Sequence, residues 1–396
     1  MGSVKIGSVA QFCRGVSYKK EQARKTSTNE FVAILRANNI IANRLDFSDL
    51  VYVPSSLVQE SQYINHGDII VTMSSGSKAH VGKVALAEKQ LNCSFGAFCG
   101  KIVPQNIVSK YLYYILQSNL FRRHIEHQCK GTNINNIRQS YILDYEIELP
   151  SVQEQERIVS RIEELFSQLD ASVSELKTAK ERLKVYRQAV LKEAFSHITE
   201  KKSIRQMSSI VTSGSRGWAQ YYSEYGAKFI RIGNLTRDRI QIDLGDIQYV
   251  DLPDGAEGKR TRLQPNDVLV SITADLGSIG FVPDGIGEAY VNQHIAMIRF
   301  LNPAQSELMA WYLRSDYGQK DLLKNKRGGG KLGLGLDDIR DSRVPVISDI
   351  EAAKILKTIE ARLSICDSIE KTVDTALQRA EALRQSILKK AFEGRL

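Results

Sequence analysis

The chain contains two copies of one long segment, and this duplication limits its possible folds more than any other feature. The segment that begins at Glu154 realigns without a gap on the segment that begins at Glu351, at a constant offset of 197 residues up to Phe195 and Phe392. Fifteen of the 42 aligned positions are identical, and both copies contain R-Q-x-x-L-K-x-A-F. Because twice the offset nearly equals the length of 396 residues, the whole chain is predicted to be a tandem duplication.

Weaker similarities between the intervening segments agree with duplication. They pair Phe31–Asn38 with Lys228–Asn234, His66–Val71 with Pro265–Val270, and Ile134–Arg138 with Leu336–Arg340. We therefore predict a globular domain over 1–150, a long helix over 151–198, a second globular domain over 199–346 and a second long helix over 347–396.

The two repeated segments are predicted to be helices that pair with each other. Apolar residues recur in alternating steps of three and four, as in the seam of a coiled coil. The first seam consists of Ile162, Phe166, Leu169, Val173, Leu176, Leu183, Val190 and Ala194, with Lys180 and Arg187 in the remaining places. The second consists of Ile359, Leu363, Cys366, Val373, Leu377, Ala380, Ile387 and Ala391, with Glu370 and Arg384. Because a lone helix cannot bury such a stripe, an antiparallel pair is expected. The alternative is that each helix packs on its own domain.

The globular segments are predicted to be α+β with mostly antiparallel strands. Short apolar runs bounded by Gly, Asn, Asp or Pro indicate strands at Asp68–Met73, Val268–Ile272 and Ala296–Phe300. One helix is expected late in each copy, near Val108–Ile125 and Ala304–Leu323. The order is neither a βαβ alternation nor a pure sandwich, which favours the α+β class.

Composition and charge indicate a protein of the cytoplasm with an anionic partner. No apolar run approaches the roughly 18 residues of a membrane span, and the five scattered cysteines favour reduced thiols. The net charge is +9, and residues 1–150 carry 17 basic and 11 acidic side chains. A basic excess of this kind fits DNA.

Motifs for catalysis are absent from the sequence. The glycine-rich Gly328–Gly335 has Leu332 where a phosphate-binding loop needs Ser or Thr, and Pro253–Lys259 places its two carboxylates in one turn, unlike a metal-dependent nuclease. The pair His124 and His127 has no third metal ligand nearby. The chain is therefore expected to be no enzyme and to bind no metal.

The ends of the two repeats carry a family resemblance. Leu149–Val159 resembles the Pro…Glu-Gln…Ile motif that opens the conserved helix of type I restriction–modification specificity subunits, and Leu383–Leu396 resembles the ending of that family. The second copy departs from the pattern, with Asp349–Ala352 where the first has Glu-Gln. Motif, order and duplication agree over the full chain.

The resemblance implies two target recognition domains and two conserved helices. Each domain would read one half of an asymmetric bipartite DNA site, while the helices fix the half-site spacing and dock two modification (methyltransferase) subunits. S-adenosylmethionine is expected on the modification subunits and ATP with Mg²⁺ on the restriction subunits, so that this chain needs no cofactor.

Lys, Arg and small polar residues in loops are the candidates for DNA contacts. In the first domain they are Lys19, Lys20, Arg24, Lys25, Ser74, Ser75, Ser77, Lys78 and Lys130. In the second they are Ser213, Ser215, Arg216, Arg237, Arg239, Lys259, Arg260, Arg262, Lys326, Arg327 and Lys331. Trp218, Tyr221 and Tyr222 are further candidates, for which core packing is the alternative. Two other functions stay open from the residues alone: a coiled-coil adaptor that bridges two protein partners, and a nuclease with an unusual site.

Overall fold

The computed structural model describes residues 2–76, 80–128, 136–214, 216–252, 261–324 and 333–396. Contacts between residues divide the chain into two compact units. Unit 1 consists of Met1–Glu175 and Ala376–Leu396, and unit 2 consists of Leu176–Thr375. Each unit therefore combines one globular segment with part of each long helix.

Unit 1 combines short strands with three short helices. Its described strands are β1 (Gly2–Lys5), β2 (Ala10–Arg14), β3 (Phe31–Leu35), β4 (Ile40–Ile41), β5 (Arg44–Leu45), β6 (Val51–Pro54), β7 (Ile69–Thr72), β8 (Val84–Leu86), β9 (Cys93–Phe95), β10 (Cys99–Pro104) and β11 (Glu146–Leu149). The helices are α1 (Ser109–Gln117), α2 (Asn119–Gln128) and α3 (Gln139–Leu143), followed by α4 (Val152–Phe195), which begins in this unit.

Two main sheets form the core of unit 1. One is antiparallel, with the order β2-β10-β7-β8, and the other has the order β6-β3-β9, in which β3 and β9 run parallel. Strand β7 is apolar at successive positions because both of its faces are covered. Ile69 and Val71 join the cluster that contains α1, whereas Ile70 joins the cluster that contains Phe95 of β9. Burial on both faces explains the continuous apolar run in the sequence.

Unit 2 repeats this arrangement. Its described strands are β12 (Lys201–Ser203), β13 (Ser208–Ser213), β14 (Tyr222–Ser223), β15 (Ala227–Ile230), β16 (Gln248–Val250), β17 (Val268–Ser271), β18 (Ile279–Phe281), β19 (Ala289–Val291), β20 (Ile295–Phe300) and β21 (Arg343–Pro345). The helices that follow α4 are α5 (Ile204–Met207), α6 (Ser306–Arg314), α7 (Asp316–Leu322), α8 (Leu336–Asp341) and α9 (Asp349–Phe392).

The sheets of unit 2 have the same strand orders, with one strand, β14, added beside β16. The order β13-β20-β17-β18 corresponds to β2-β10-β7-β8, and the parallel pair β15·β19 corresponds to β3·β9. Val268 and Val270 of β17 face one cluster and Leu269 faces another, as in β7. All other strand pairs among the described residues are antiparallel. The α+β class with mostly antiparallel strands, predicted from the sequence, is confirmed.

The helix expected late in each copy is two helices, so this prediction was wrong in detail. Ser118 separates α1 from α2, and Ser315 separates α6 from α7; both serines have extended backbone angles. The Ser118 hydroxyl donates to Ile115 O at 2.7 Å, and the Ser315 hydroxyl donates to Tyr312 O at 2.6 Å. Serine side chains of this kind compete with helical hydrogen bonds, which ends one helix and starts the next.

The long helices α4 and α9 pair as an antiparallel coiled coil. In unit 2, Lys180 lies 2.7 Å from Asp374, Arg187 lies 2.7 Å from Asp367, and Arg362 of α9 pairs with Glu193. Partner numbers fall along α9 as they rise along α4, which is the antiparallel order. All predicted seam positions are buried or half-buried.

The polar seam residues form reciprocal ion pairs. Arg187 binds Asp367 in unit 2, and Arg384 binds Asp170 in unit 1, where its guanidinium also lies 4.3 Å from the Phe166 ring centre. Arg187 and Arg384 are repeat equivalents, and so are Asp170 and Asp367. The duplication therefore extends from the sequence to the side-chain contacts of the coiled coil.

A buried asparagine holds one loop of each unit in the same way. Asn39 accepts a hydrogen bond from Arg36 N at 2.9 Å and donates to the carbonyl oxygens of Asp46 and Asp49. Asn234 accepts from Arg231 N at 2.8 Å and donates to Asp243 O and Asp246 O.

A buried ion pair is repeated as well. Lys101 lies 2.9 Å from Asp68 in unit 1, and Arg299 makes two hydrogen bonds of 2.7 and 2.8 Å to Asp267 in unit 2. Each carboxylate also accepts a backbone hydrogen bond from three residues upstream, at Asn65 and Gln264 respectively.

No helix in the described part of the chain has the length and hydropathy of a membrane span.

Candidate nucleic-acid interface

A tight turn follows the parallel strand in each unit. Turn 1 (Gly96–Cys99) follows β9 and is closed by a hydrogen bond from Cys99 N to Gly96 O at 2.8 Å. Turn 2 (Asn292–Ile295) follows β19 and is closed by Ile295 N and Asn292 O at 3.2 Å. The two turns occupy equivalent places, since Gly96 N bonds to Leu35 O of β3 and Asn292 N bonds to Ile230 O of β15.

A glycine from the segment after the first sheet strand presses against each turn. A Cβ atom on Gly15 would lie 2.2 Å from Gly96 O, and one on Gly214 would lie 1.9 Å from Val291 O. No other residue fits there, because any side chain would collide with the backbone. In unit 1 this segment continues through Val16, which bonds to Phe95 O and Ala97 N, toward Lys19 and Lys20.

A third segment reaches each turn from the central sheet. Met73 N and Ser74 N both donate to Phe98 O in turn 1, at 2.9 and 3.1 Å, and Ile272 N donates to His294 O in turn 2 at 2.9 Å. Ser74 forms a β-bridge with Asn136, and Thr273 forms one with Gly333. In each unit, three segments distant in sequence therefore meet: the turn itself and the segments that follow the first and the central strands of the sheet.

Several predicted residues lie in these converging segments. Ser74 and Ser75 follow β7, Ser213 ends β13, and the exposed Arg216 comes two residues after Gly214. Nine further candidates lie outside the described residues: Ser77, Lys78, Lys130, Ser215, Lys259, Arg260, Lys326, Arg327 and Lys331.

The basic candidates of unit 1 divide into two groups. Lys19 and Lys20 are exposed, and neither forms an ion pair within the described chain. Arg24 stacks over Phe31 at 4.4 Å, and Lys25 lies 2.6 Å from Asp49. Hydrogen bonds from Lys25 and Arg36 hold the pKa of Asp49 below its usual value. Lys19 and Lys20 are therefore the freer cations for a phosphate.

The basic candidates of unit 2 divide similarly. Arg237 pairs with Asp275, and this contact, with a weaker one from Ser278, lowers the pKa of the Asp275 carboxyl. Arg239 and Arg262 are exposed, and no ion pair of theirs occurs among the described residues. Among the aromatic candidates, Trp218 is buried and stacks on Phe229, so it belongs to the core.

Sequence reasoning missed the side chains on the turns themselves. Phe98 in turn 1 is 68% exposed, and His294 in turn 2 lies within 2.8 Å of the Thr273 hydroxyl and 3.0 Å of the Gln293 amide. The sequence shows an aromatic residue between two nearby glycines, in Gly96–Gly100, and an Asn-Gln-His run at Asn292–His294. Their equivalence rests on backbone hydrogen bonds between distant strands.

No cluster of His, Cys, Asp or Glu side chains suited to a metal ion occurs among the residues with described positions.

Comparison with known proteins identifies the family. The family model "Type I restriction modification DNA specificity domain" matches residues 1–181. The type I restriction enzyme EcoKI specificity subunit of Escherichia coli (strain K12) is 33% identical over 414 residues, which cover 99% of this chain and 88% of that protein. The chain belongs to the type I restriction–modification specificity subunits.

Other specificity subunits and solved structures agree. The StySPI specificity subunit of Salmonella potsdam is 32% identical over 99% of this chain and 88% of its own length. A chain from a structure of a type I restriction–modification system superimposes with a TM-score of 0.73 at 16% identity, covering 100% of this chain and 98% of that one. The HsdS subunit from Thermoanaerobacter tengcongensis gives a TM-score of 0.50 at 15% identity, with 100% and 97% coverage. The comparisons give no support to the adaptor alternative for this specificity subunit.

Proposed function

We propose that this specificity subunit reads an asymmetric, bipartite DNA sequence, one half with each unit. The observation that carries the proposal is the repeated turn: one scaffold brings three segments together twice and presents different side chains each time. Two different readers in one chain suit an asymmetric site, as two identical readers in a symmetric dimer suit a palindrome.

The exposed cations that form no ion pair within the described residues would position the DNA backbone. Lys19 and Lys20 in unit 1 and Arg216, Arg239 and Arg262 in unit 2 are the described candidates for phosphate contacts, which fix register without reading bases. The predicted residues outside the described ranges stay predictions.

The long helices would fix the spacing of the half-sites and dock two modification subunits, to which restriction subunits add. S-adenosylmethionine would bind the modification subunits and ATP with Mg²⁺ the restriction subunits, while this chain is non-catalytic. The complex would work in the cytoplasm, which agrees with the free thiols of Cys13, Cys93, Cys99 and Cys366.

Replacement of one recognition domain tests the proposal. The methylated adenines of the source genome first define the wild-type site. A hybrid in which residues 1–150 come from another family member, assembled with the same modification subunits, should then methylate a site with one half changed and the other half and spacer unchanged. A change in both halves of the site would contradict the proposal that each unit reads one half.

A further inference from the structure

Turn 1 and turn 2 present chemically different side chains at one structural position. Phe98 and His294 each occupy the third place of their turn, and the carbonyl oxygen of each accepts a hydrogen bond from the segment after the central strand. The preceding residues, Ala97 and Gln293, each occupy the second place of their turn. What differs between the units at this place is therefore side-chain chemistry on a common backbone.

Turn 1 offers an aromatic ring to its surroundings. Phe98 is 68% exposed, whereas Phe95, three residues earlier, is fully buried. A single exposed ring is common on protein surfaces. This ring, however, projects from a turn that is tied by hydrogen bonds to Val16, Met73 and Ser74. A ring on such a turn, with Lys19 and Lys20 three and four residues after Val16, suits apolar contact with a base edge in a groove, such as the thymine methyl group.

Turn 2 offers hydrogen-bonding groups instead. The Gln293 amide nitrogen lies 3.0 Å from His294 Nε2 and can only donate, so Nε2 accepts. A neutral imidazole then carries its proton on Nδ1, which donates to the Thr273 hydroxyl at 2.8 Å. Gln293 keeps one N–H donor and its Oε1 acceptor for a ligand. This donor–acceptor pair matches N7 and the N6 amino group of adenine in the major groove.

We infer that the two turns are the equivalent base-contacting points of the two half-site readers. Phe98 contacts a base with its ring, and Gln293, positioned by His294 and Thr273, hydrogen-bonds the edge of an adenine. The inference rests on the proposed function and adds to it the residues and the chemistry of each half-site contact.

The test compares Phe98→Ala and Gln293→Ala in the complete complex with modification subunits. Binding is measured to duplexes that carry the mapped site with each base pair changed singly. Phe98→Ala should weaken binding to the mapped site about 10- to 100-fold, as for the loss of one base-pair contact. It should also abolish base preference at a position in the first half-site only. Gln293→Ala should have a similar effect at one adenine of the second half-site.

Replacement of that adenine by 7-deazaadenine removes the N7 acceptor. It should weaken binding by the wild-type complex and leave binding by the Gln293→Ala complex unchanged. His294→Ala should reduce the preference for the same adenine without a change in thermal unfolding, as expected of a positioning residue.

Matched controls use exposed residues of the same type away from the turns. Phe47 is 45% exposed in unit 1 and Gln241 is exposed in unit 2, and Phe47→Ala and Gln241→Ala should bind with wild-type preference. Variants at Phe98 and Gln293 that keep every base preference, or that lose affinity equally on unrelated duplexes, would overturn the inference. A wild-type complex without any sequence preference would instead reject the proposed function itself.

Discussion

The buried ion pairs of the two units have the same place in the fold and different surroundings. Lys101 and Asp68 in unit 1 are 3% and 5% exposed at their side chains, whereas Arg299 in unit 2 is 22% exposed beside a fully buried Asp267. Each cation also donates to a backbone carbonyl oxygen, Lys101 to Tyr63 O at 2.7 Å and Arg299 to Arg262 O at 3.2 Å. After the duplication, both units therefore kept a buried ion pair, but the type of cation and its exposure to water diverged.

Removal of the buried carboxylate should give the largest difference in stability loss between the two units. Asp68→Ala strands Lys101 in the core and should cost about 3–5 kcal/mol of unfolding free energy. Asp267→Ala should cost less, because Arg299 reaches water, whereas the buried Lys101 would keep only its bond to Tyr63 O. Calorimetric unfolding of each variant measures both losses, and the double variant Asp68→Leu/Lys101→Met should recover most of the first. Equal losses in the two single variants would show that exposure of the cation does not matter here.

The coiled-coil arginines give the next largest difference. Arg187 contacts both Asp367 and Glu370, at 2.7 and 2.9 Å, whereas Arg384 contacts Asp170 and the face of Phe166. The second carboxylate in unit 2 follows from the sequence, because Glu370 stands where the first repeat has Val173.

Arg187→Met should therefore destabilise more than Arg384→Met, by about 1.5–3 kcal/mol against about 1 kcal/mol. Urea unfolding followed by circular dichroism compares the two variants. In a Glu370→Val background, which copies the first repeat, the penalty for Arg187→Met should fall toward that for Arg384→Met. If Arg187→Met kept its full penalty in the Glu370→Val background, Glu370 would not be the cause of the difference between the two arginines.

The coiled coil and the repeat could be predicted from the sequence because both are periodic. The seam residues from Ile162 to Ala194 are set by local spacing, and the offset of 197 residues needs no structure to detect. The breaks at Ser118 and Ser315 were missed, since a serine in an amphipathic run carries no sign that its hydroxyl will accept a hydrogen bond from the next helix rather than face water.

The interface was predicted less completely, since it depends on contacts between distant residues. The sequence predicts Arg237 as a candidate DNA contact, and it does not show that Asp275, 38 residues later, pairs with it. Phe98 was not chosen, because only the pairing of β3 with β9 and of β7 with β10 places its turn beside Ser74. Residue type and loop context are enough to select candidate phosphate contacts. The convergence of three segments at one turn can be seen only in the folded structure.

The smallest expected difference concerns two equivalent glutamines that differ in their contacts. In unit 1, Gln385 accepts a hydrogen bond from Asn119 N at 3.0 Å and donates to Gln117 O at 3.4 Å. In unit 2, Gln188 Oε1 is buried without a hydrogen-bond partner among the described residues. Gln188 lines a cavity of about 90 Å³ together with Trp311 and Arg314.

Gln385→Leu should therefore cost about 1 kcal/mol, because it removes two hydrogen bonds and leaves Asn119 N to find another acceptor. Gln188→Leu should be neutral or slightly stabilising, because it deletes an acceptor that no described protein group satisfies and adds apolar contact with Leu191 and Leu363, which line the same cavity. Thermal unfolding of the two single variants and of the double variant makes the comparison. Since the glutamines belong to separate units, the double variant should match the sum of the single effects. A loss for Gln188→Leu as large as that for Gln385→Leu would mean that the Gln188 amide does make stabilising hydrogen bonds.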